Sequence, residues 1–456
     1  MRFIKFFVLT AVLLIVSATA KAETFSAYLN AAQEVPTNAS TATGFARVVV
    51  NESLGTFSYT VVFSGLLGAQ TALHIHAPGV IGVNAGVAIT LTPVVGGTSG
   101  TVTGTGVITP TQIAQLRAHQ GYVNLHSMSF PGGEIRGQLG VRRPVDNDGD
   151  GRTDFSILRF PAGPPSPISY WNLNSTTGVQ VSGVWGDAQT DFPTPGDFDG
   201  DGRDDLALYR DGTLANPQSV FLIFRSSDNT GSMTSFGLDN DVPVARDYDG
   251  DGRTDIATYR GGAAAGNQSF WFIRRSTTGT DQTVAWGTRG ATGNDRDVPI
   301  PGDYDGDGRF DIAVYRIGTL MPSNTYIILR SSDSQAVFQP FGNFSVDYIV
   351  PGDYDGDGRF DYAVARIGFT PSAPMVWWIL QSSNGQLRVQ TFGITSDRPT
   401  QGDYDGDART DIAIWRAGAT AGSQSNFWVF NSLANTASVT PWGIREDFPV
   451  NTFDAR

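Results

Sequence analysis

A nine-residue pattern with aspartate at positions one, three, five and nine recurs six times in the chain. The first copy is Asp146-Asn-Asp-Gly-Asp-Gly-Arg-Thr-Asp154, with carboxylates at Asp146, Asp148, Asp150 and Asp154. The later copies place them at Asp197, Asp199, Asp201 and Asp205; at Asp247, Asp249, Asp251 and Asp255; at Asp303, Asp305, Asp307 and Asp311; at Asp353, Asp355, Asp357 and Asp361; and at Asp403, Asp405, Asp407 and Asp411. Carboxylates on alternate residues of a tight turn converge on one point, and the aspartate at position nine adds a further oxygen pair. Such a site suits a hard cation, and Ca²⁺ accepts six to eight oxygens in irregular geometry. Glycine at position six permits the sharp turn, and the arginine at position seven would offer its backbone carbonyl. The sixth copy has Ala408 at position six. If that position requires positive φ, the alanine costs about 1 kcal/mol, and the sixth site is expected to be the weakest. The alternative to calcium is a solvated acidic turn with no ion.

The other residues able to do chemistry lie upstream. All four histidines of the chain fall before residue 142. His74 and His76 are two apart in a strand-like run and therefore share a face, and His126 shares its face with Tyr122 and Asn124. Three imidazoles with an open fourth position suit Zn or Cu. The alternative is that these histidines hydrogen-bond within a polar core. Glu134 and Arg136 also share a face, which reads as a structural ion pair. Downstream there is no histidine, and none of the serines there has an evident base, so no nucleophile–base pair is visible.

The elements that must position these groups repeat with the acidic runs, whose starts are 51, 50, 56, 50 and 50 residues apart. The long interval holds an insertion from Thr288 to Arg296. Each run leads into a short strand closed by arginine: Arg159, Arg210, Arg260, Arg316, Arg366 and Arg416. A second strand carries Tyr170, Phe221, Trp271, Tyr326, Trp377 or Phe427, and five residues later a serine recurs. A third strand ends in aromatic-glycine, as in Phe236-Gly237, and a proline-containing strand leads into the next run. Four strands per unit of this length describe propeller blades. The recurrent aromatics are expected to pack between blades. The C-terminal run Asp447-Phe-Pro-Val matches the start of a repeat but stops before an acidic loop. It should complete the first blade and close the ring. Six blades is the simplest count, with seven the alternative.

Residues 23–141 contain strand-like runs at 45–50, 56–63, 73–76, 86–91, 121–126 and 134–139, with one helix capped by Thr109, opened by Pro110 and ended by Gly121 with His119 in its last turn. The fold class is therefore all-β, an N-terminal antiparallel β-sandwich over 23–141 and a propeller over 146–456 with 142–145 between them. Residues 1–22 read as a secretory signal peptide: Arg2 and Lys5, an apolar run from Phe6 to Val16, and Ala20-Lys21-Ala22. The remainder offers no apolar stretch able to span a membrane. Both lysines fall in the leader, so its removal with Arg2 takes the net charge from −13 to −16. Such an acidic chain will not bind nucleic acid through a phosphate-neutralising patch. Cysteine is absent, so stability must come from burial, hydrogen bonds and metal.

The acidic loops resemble the DxDxDGxxD calcium loops of FG-GAP/VCBS repeats, found in integrin α-subunit propellers and bacterial surface proteins. That resemblance implies a propeller with about six structural calcium ions and a role in adhesion or recognition, without catalysis. Integrin propellers have seven blades, which leaves the count open. In the N-terminal region, Gln33-Glu-Val-Pro36, His74-Ile-His-Ala-Pro-Gly79, Tyr122-Val-Asn-Leu-His126 and Gly132-Gly-Glu-Ile-Arg-Gly-Gln138 resemble the CHRD domain, named after chordin. Its strand order and His-x-His are also similar to the Cu,Zn superoxide dismutase sandwich, but the further His and Asp ligands and the Cys pair of that enzyme are lacking. The expectation is an exported, secreted, periplasmic or cell-surface recognition protein whose partner is an extracellular protein or a glycan. Two alternatives are a lectin propeller, given the many Trp and Tyr, and a Zn or Cu metalloenzyme at His74, His76 and His126.

Overall fold

The computed structural model describes residues 22–450 apart from 53, 80–81, 93–95, 118–119, 140–144, 150–151, 161–166, 202, 251, 290–295, 307, 318–323, 344–346, 408 and 433. The leader, His119, Asp150, Asp251, Asp307, Ala408 and the last six residues lie outside the described residues.

The N-terminal domain is one antiparallel sheet. Its strands are β1 (Ala22–Asn30), β2 (Thr43–Asn51), β3 (Thr56–Ser64), β4 (Gln70–His76), β5 (Val87–Thr90), β6 (Gly100–Val107), β7 (Tyr122–Ser127) and β8 (Ile135–Gln138), in the order β5-β4-β7-β8-β1-β2-β3-β6. The expected sandwich is thus a single curled sheet. Among the described residues β1 and β8, which join its two halves, pair at Asn30↔Arg136 alone, whereas β1 and β2 pair along nine residues. That short seam lets the halves enclose a common core, which unites Val48, Phe57 and Val61 with Leu73, Ile75, Val123, Leu125 and Ile135. Strand β3 alternates buried and exposed residues throughout, as a one-sided sheet requires.

Strand β6 has the glycine-rich sequence GTVTGTGV and reads as a loop in isolation. A Cβ at Gly104 or Gly106 would run into the ring of Tyr59 or Phe57 on the neighbouring strand β3. The helix α1 (Pro110–Arg117) begins as expected, because Thr109 Oγ1 accepts from Gln112 N–H at 3.2 Å and Gln112 Oε1 accepts from Thr109 N–H at 2.9 Å. That is a reciprocal capping box.

The rest of the chain forms six four-stranded antiparallel sheets. The first is completed by the chain's last described strand, Phe448–Pro449, which pairs with Phe155–Arg159. Closure and the count of six are therefore both settled by strand pairing. Every core cluster of the ring joins neighbouring blades. Trp271 packs with Ile312 and Ile327, Trp377 with Ile412 and Ile414, and Phe427 with Phe155 and Ile157 across the closure. Five of the six recurrent second-strand aromatics are buried as expected; Tyr170 is half-buried.

The arginine that closes each blade's first long strand finds a partner in the aspartate at the start of the proline-containing strand paired with it in the same blade. The six pairs are Arg159–Asp447, Arg210–Asp191, Arg260–Asp241, Arg316–Asp297, Arg366–Asp347 and Arg416–Asp397, at 2.6–2.8 Å. Each aspartate also accepts a backbone N–H from the end of the preceding third strand, as Asp241 does from Leu238 at 2.8 Å and Asp447 from Ile444 at 2.7 Å. The aromatic-glycine motif supplies the sharp exit needed for that contact. Gly237 has φ +86°, and a methyl there would sit 2.5 Å from Tyr209 Oη. Gly237→Ala is expected to destabilise the chain by about 2 kcal/mol through combined strain and crowding, measured as a shift in the urea midpoint. An unchanged midpoint would show that this turn has room the structure does not reveal.

Candidate functional site

Each acidic loop leads into the arginine-closed strand of its blade, and in the second to sixth blades it connects that strand to the proline-containing strand before it. The loop is organised by its own backbone. The position-one carboxylate accepts the N–H of the residue three ahead: Asp146 from Gly149, Asp197 from Gly200, Asp247 from Gly250, Asp303 from Gly306, Asp353 from Gly356 and Asp403 from Gly406, at 2.5–2.8 Å. The position-nine carboxylate is held on both oxygens. One accepts the N–H of position two at 2.9 Å in every loop. The other accepts the N–H of the recurrent serine: Asp154 from Ser175, Asp205 from Ser226, Asp255 from Ser276, Asp311 from Ser331, Asp361 from Ser382 and Asp411 from Ser432, at 2.6–2.8 Å. The serine that recurs in the sequence without an evident base is therefore a backbone clamp on an acidic loop.

The structure brings positions one, three and nine together. Carboxylate oxygens of Asp146, Asp148 and Asp154 lie within 4.8 Å of one another, as do those of Asp197, Asp199 and Asp205, of Asp247, Asp249 and Asp255, and of Asp303, Asp305 and Asp311. Position five makes further bonds in the three loops where it is described. Asp201 accepts from Arg203 N–H and Ser226 Oγ, both at 2.9 Å, and from the Arg203 guanidinium. Asp357 and Asp407 take the matching bonds from Arg359 and Ser382 and from Arg409 and Ser432. Its carboxylate thus ties the loop to the recurrent serine as well as to its own backbone.

These residues fit a cation. Asp249 Oδ1 is buried with no partner. Burial, with neighbouring carboxylates adding to it, pushes Asp255 up to about 7, Asp311 to about 8 and Asp411 to about 9. Burial likewise raises Asp205 to about 6 and Asp361 to about 7. A divalent ion would supply the charge that this crowding lacks.

The loops are also tied to one another. The N–H of position eight donates to the position-one carbonyl of the preceding loop: Asp204 to Asp146, Thr254 to Asp197, Phe310 to Asp247, Phe360 to Asp303, Thr410 to Asp353 and, across the closure, Thr153 to Asp403, at 2.6–2.9 Å. The position-seven arginine fills the space beside a glycine of the preceding loop, as Arg253 does at Gly200 and Arg152 does at Gly406. The sixth loop meets the N-terminal domain. Asp407 and Arg409 line one cleft with Glu34, Arg136 and Gln138, and Asp405 and Asp407 are buried whereas Asp199 and Asp201 are half-buried.

In the N-terminal domain the three histidines do converge. His74 and His76 on β4 and His126 on β7 present nitrogens that all lie within 4.8 Å of one another. His74 Nδ1 stands 3.1 Å from His126 Nε2. His76 Nδ1 lies 2.9 Å from the Ala85 carbonyl, and His126 Nδ1 lies 2.9 Å from the Pro131 carbonyl. Burial lowers the pKa of all three, so they are neutral imidazoles at neutral pH. The expected Glu134–Arg136 ion pair does not form. Glu134 Oε1 accepts from Ser40 Oγ and Leu67 N–H, both at 2.7 Å, while Arg136 lies 3.4 Å over the Tyr122 ring and faces Glu34. Glu134 precedes β8 rather than belonging to it, so strand alternation does not govern its direction. Burial lifts Glu34 to about 7 against the opposing pull of Arg136 and Asn124, an environment that its short sequence motif gives no means of reading.

Residues 25–139 match the CHRD domain family. The match begins within β1 and ends at the residue after β8, and the three histidines lie inside the matched residues. No curated protein matches the chain. Among solved structures, the crystal structure of rhamnogalacturonan lyase YesW is similar over 84% of this chain and 80% of its own, at 10% identity and a TM-score of 0.33. A likeness that low carries no argument about activity. Among the described residues no helix is long and apolar enough to cross a membrane. A CHRD domain joined to a propeller fits a non-catalytic extracellular binding role.

Proposed function

We propose that this protein is an exported, calcium-loaded recognition protein in which the ring of acidic loops organises a binding surface and the CHRD domain is docked beside the sixth loop. The observation that carries the reading is the closed circuit of hydrogen bonds from each position-eight N–H to the preceding loop. An ion in one loop would stiffen the backbone that the next loop depends on, so calcium acts on the whole ring. The resemblance to FG-GAP/VCBS repeats, the leader sequence and an extracellular protein or glycan partner belong to this proposal. The lectin alternative cannot draw on Trp271, Trp377 and Trp415, which are buried in the blades, but Trp171, Trp185, Trp286, Trp378 and Trp428 are half-buried and keep it as the second reading.

Two measurements test the reading. N-terminal sequencing of the product recovered outside the cytoplasm should begin at Glu23. A glycan array and a panel of extracellular matrix and surface proteins, probed with and without chelator, should give binding that requires calcium. Binding equal in both conditions would separate recognition from the acidic loops, and retention of the leader inside the cell would remove the extracellular role.

A further inference from the structure

We infer that His74, His76 and His126 form a site for one divalent transition-metal ion, Zn²⁺ or Cu²⁺, distinct from the acidic loops. The first support is distance. Four nitrogens around a tetrahedral ion at about 2.0–2.1 Å stand about 3.3 Å apart. The His74 Nδ1 to His126 Nε2 separation is 3.1 Å, and the nitrogens of all three residues fall within 4.8 Å. The second is the direction of the lone pairs. A carbonyl only accepts, so the contacts to Ala85 and Pro131 place a proton on Nδ1 of His76 and of His126. Both rings therefore turn a bare Nε2 toward the cluster, the arrangement in which an outer carbonyl orients a metal-binding imidazole.

The third support is an unmet need. A hydrogen bond from His74 Nδ1 satisfies His126 Nε2, but His76 is 8% exposed and its Nε2 is buried with no partner. Buried polar atoms in folded proteins nearly always have a partner, and an ion would provide one here. The His76 ring cannot simply swing away. It stacks on Tyr122 at 4.9 Å with the planes 2° apart, and the Arg136 guanidinium sits 3.4 Å over the same Tyr122 ring. His74 is half-buried and gives the cluster an opening to solvent, where a water or other small ligand would take the fourth position. Three neutral nitrogens without a carboxylate favour zinc or copper over calcium or magnesium.

The test uses the full chain, stripped of metal and then saturated with calcium so that the aspartate loops are filled. Titration with Co²⁺ should give visible ligand-field bands that saturate at one equivalent and vanish on adding Zn²⁺, and Cu²⁺ should show nitrogen hyperfine structure in its electron paramagnetic resonance spectrum. His126→Gln should weaken binding by roughly 100-fold or more while the bound calcium count stays unchanged. His74→Gln, at the half-buried member, gives the same reading if His126→Gln fails to fold. Absence of any cobalt, zinc or copper bound at one equivalent, or full affinity retained in the His74→Gln chain, would overturn the site.

Discussion

Calcium-free protein should melt roughly 10 °C or more below the calcium-loaded protein, and the gap should widen as pH rises. Each site filled at 100 times its dissociation constant contributes about 2.7 kcal/mol, and two such contributions already move the midpoint of a domain this large by that amount. The pH dependence follows from the loop aspartates. Asp205 is lifted to about 6, Asp255 and Asp361 to about 7, Asp311 to about 8 and Asp411 to about 9, first by burial and then by neighbouring carboxylates. Unfolded aspartates titrate near 3.9. Between about pH 4 and 9 the metal-free folded chain therefore holds more protons than the unfolded chain, and its stability falls as pH rises through that window. Calcium competes with those protons, so its stabilising effect grows over the same window. Calorimetric melts of calcium-free and calcium-loaded chain at about pH 5 and pH 8 would show it. Identical melts in the two states, or a calcium-free chain that gains stability toward pH 8, would mean that the loops are solvated turns. Isothermal titration should in addition count about six ions per chain, one for each acidic loop.

Asp447→Ala should cost about 3 kcal/mol and open the ring. Asp447 is fully buried, holds Arg159 in a two-point pair at 2.7 and 2.9 Å, and accepts Ile444 N–H at 2.7 Å. Removing it strands a guanidinium that is one-third exposed and a backbone N–H, and breaking a buried pair from one side costs this order of energy. The equivalent Asp241→Ala should lose similar free energy in urea unfolding. The difference lies in connectivity. Asp241 sits within a continuous chain, whereas Asp447 holds the terminal strand Phe448–Pro449 on the first blade, 288 residues away from Arg159. Only Asp447→Ala should render the C-terminus and the Phe155–Arg159 edge sensitive to limited proteolysis. Equal protease resistance in the two variants would show that inter-blade packing through Phe155, Ile157 and Phe427 closes the ring unaided.

Repetition made most of the propeller legible. Six copies of one acidic loop, one arginine, one serine and one aromatic-glycine, each at fixed offsets, announce a unit of four strands, because short-range turn chemistry recurs wherever the same backbone path recurs. The truncated repeat at the C-terminus announced the closure. The partner of the recurrent arginine was not legible in the first blade, where the aspartate it meets is 288 residues away, whereas in the other five it lies 19 residues upstream. Nor was the division of labour inside the loops. Asp201 and Asp205 read alike as ligands, but the Ser226 strand supplies one hydroxyl and one N–H that fall to different carboxylates only after the blade folds.

In the N-terminal domain, alternation in β2 and β3, and the Thr109 cap, follow from local physics. Strand β6 does not, because its glycines are selected by the rings of Phe57 and Tyr59 on the adjacent strand. His74 and His76 share a face by strand period alone. Their convergence with His126, the two carbonyls that orient the rings, and the curl that joins the halves through Asn30↔Arg136 were decided by tertiary structure. Side-chain period is a local property of an extended chain, whereas register between strands distant in sequence is chosen by the core they jointly bury.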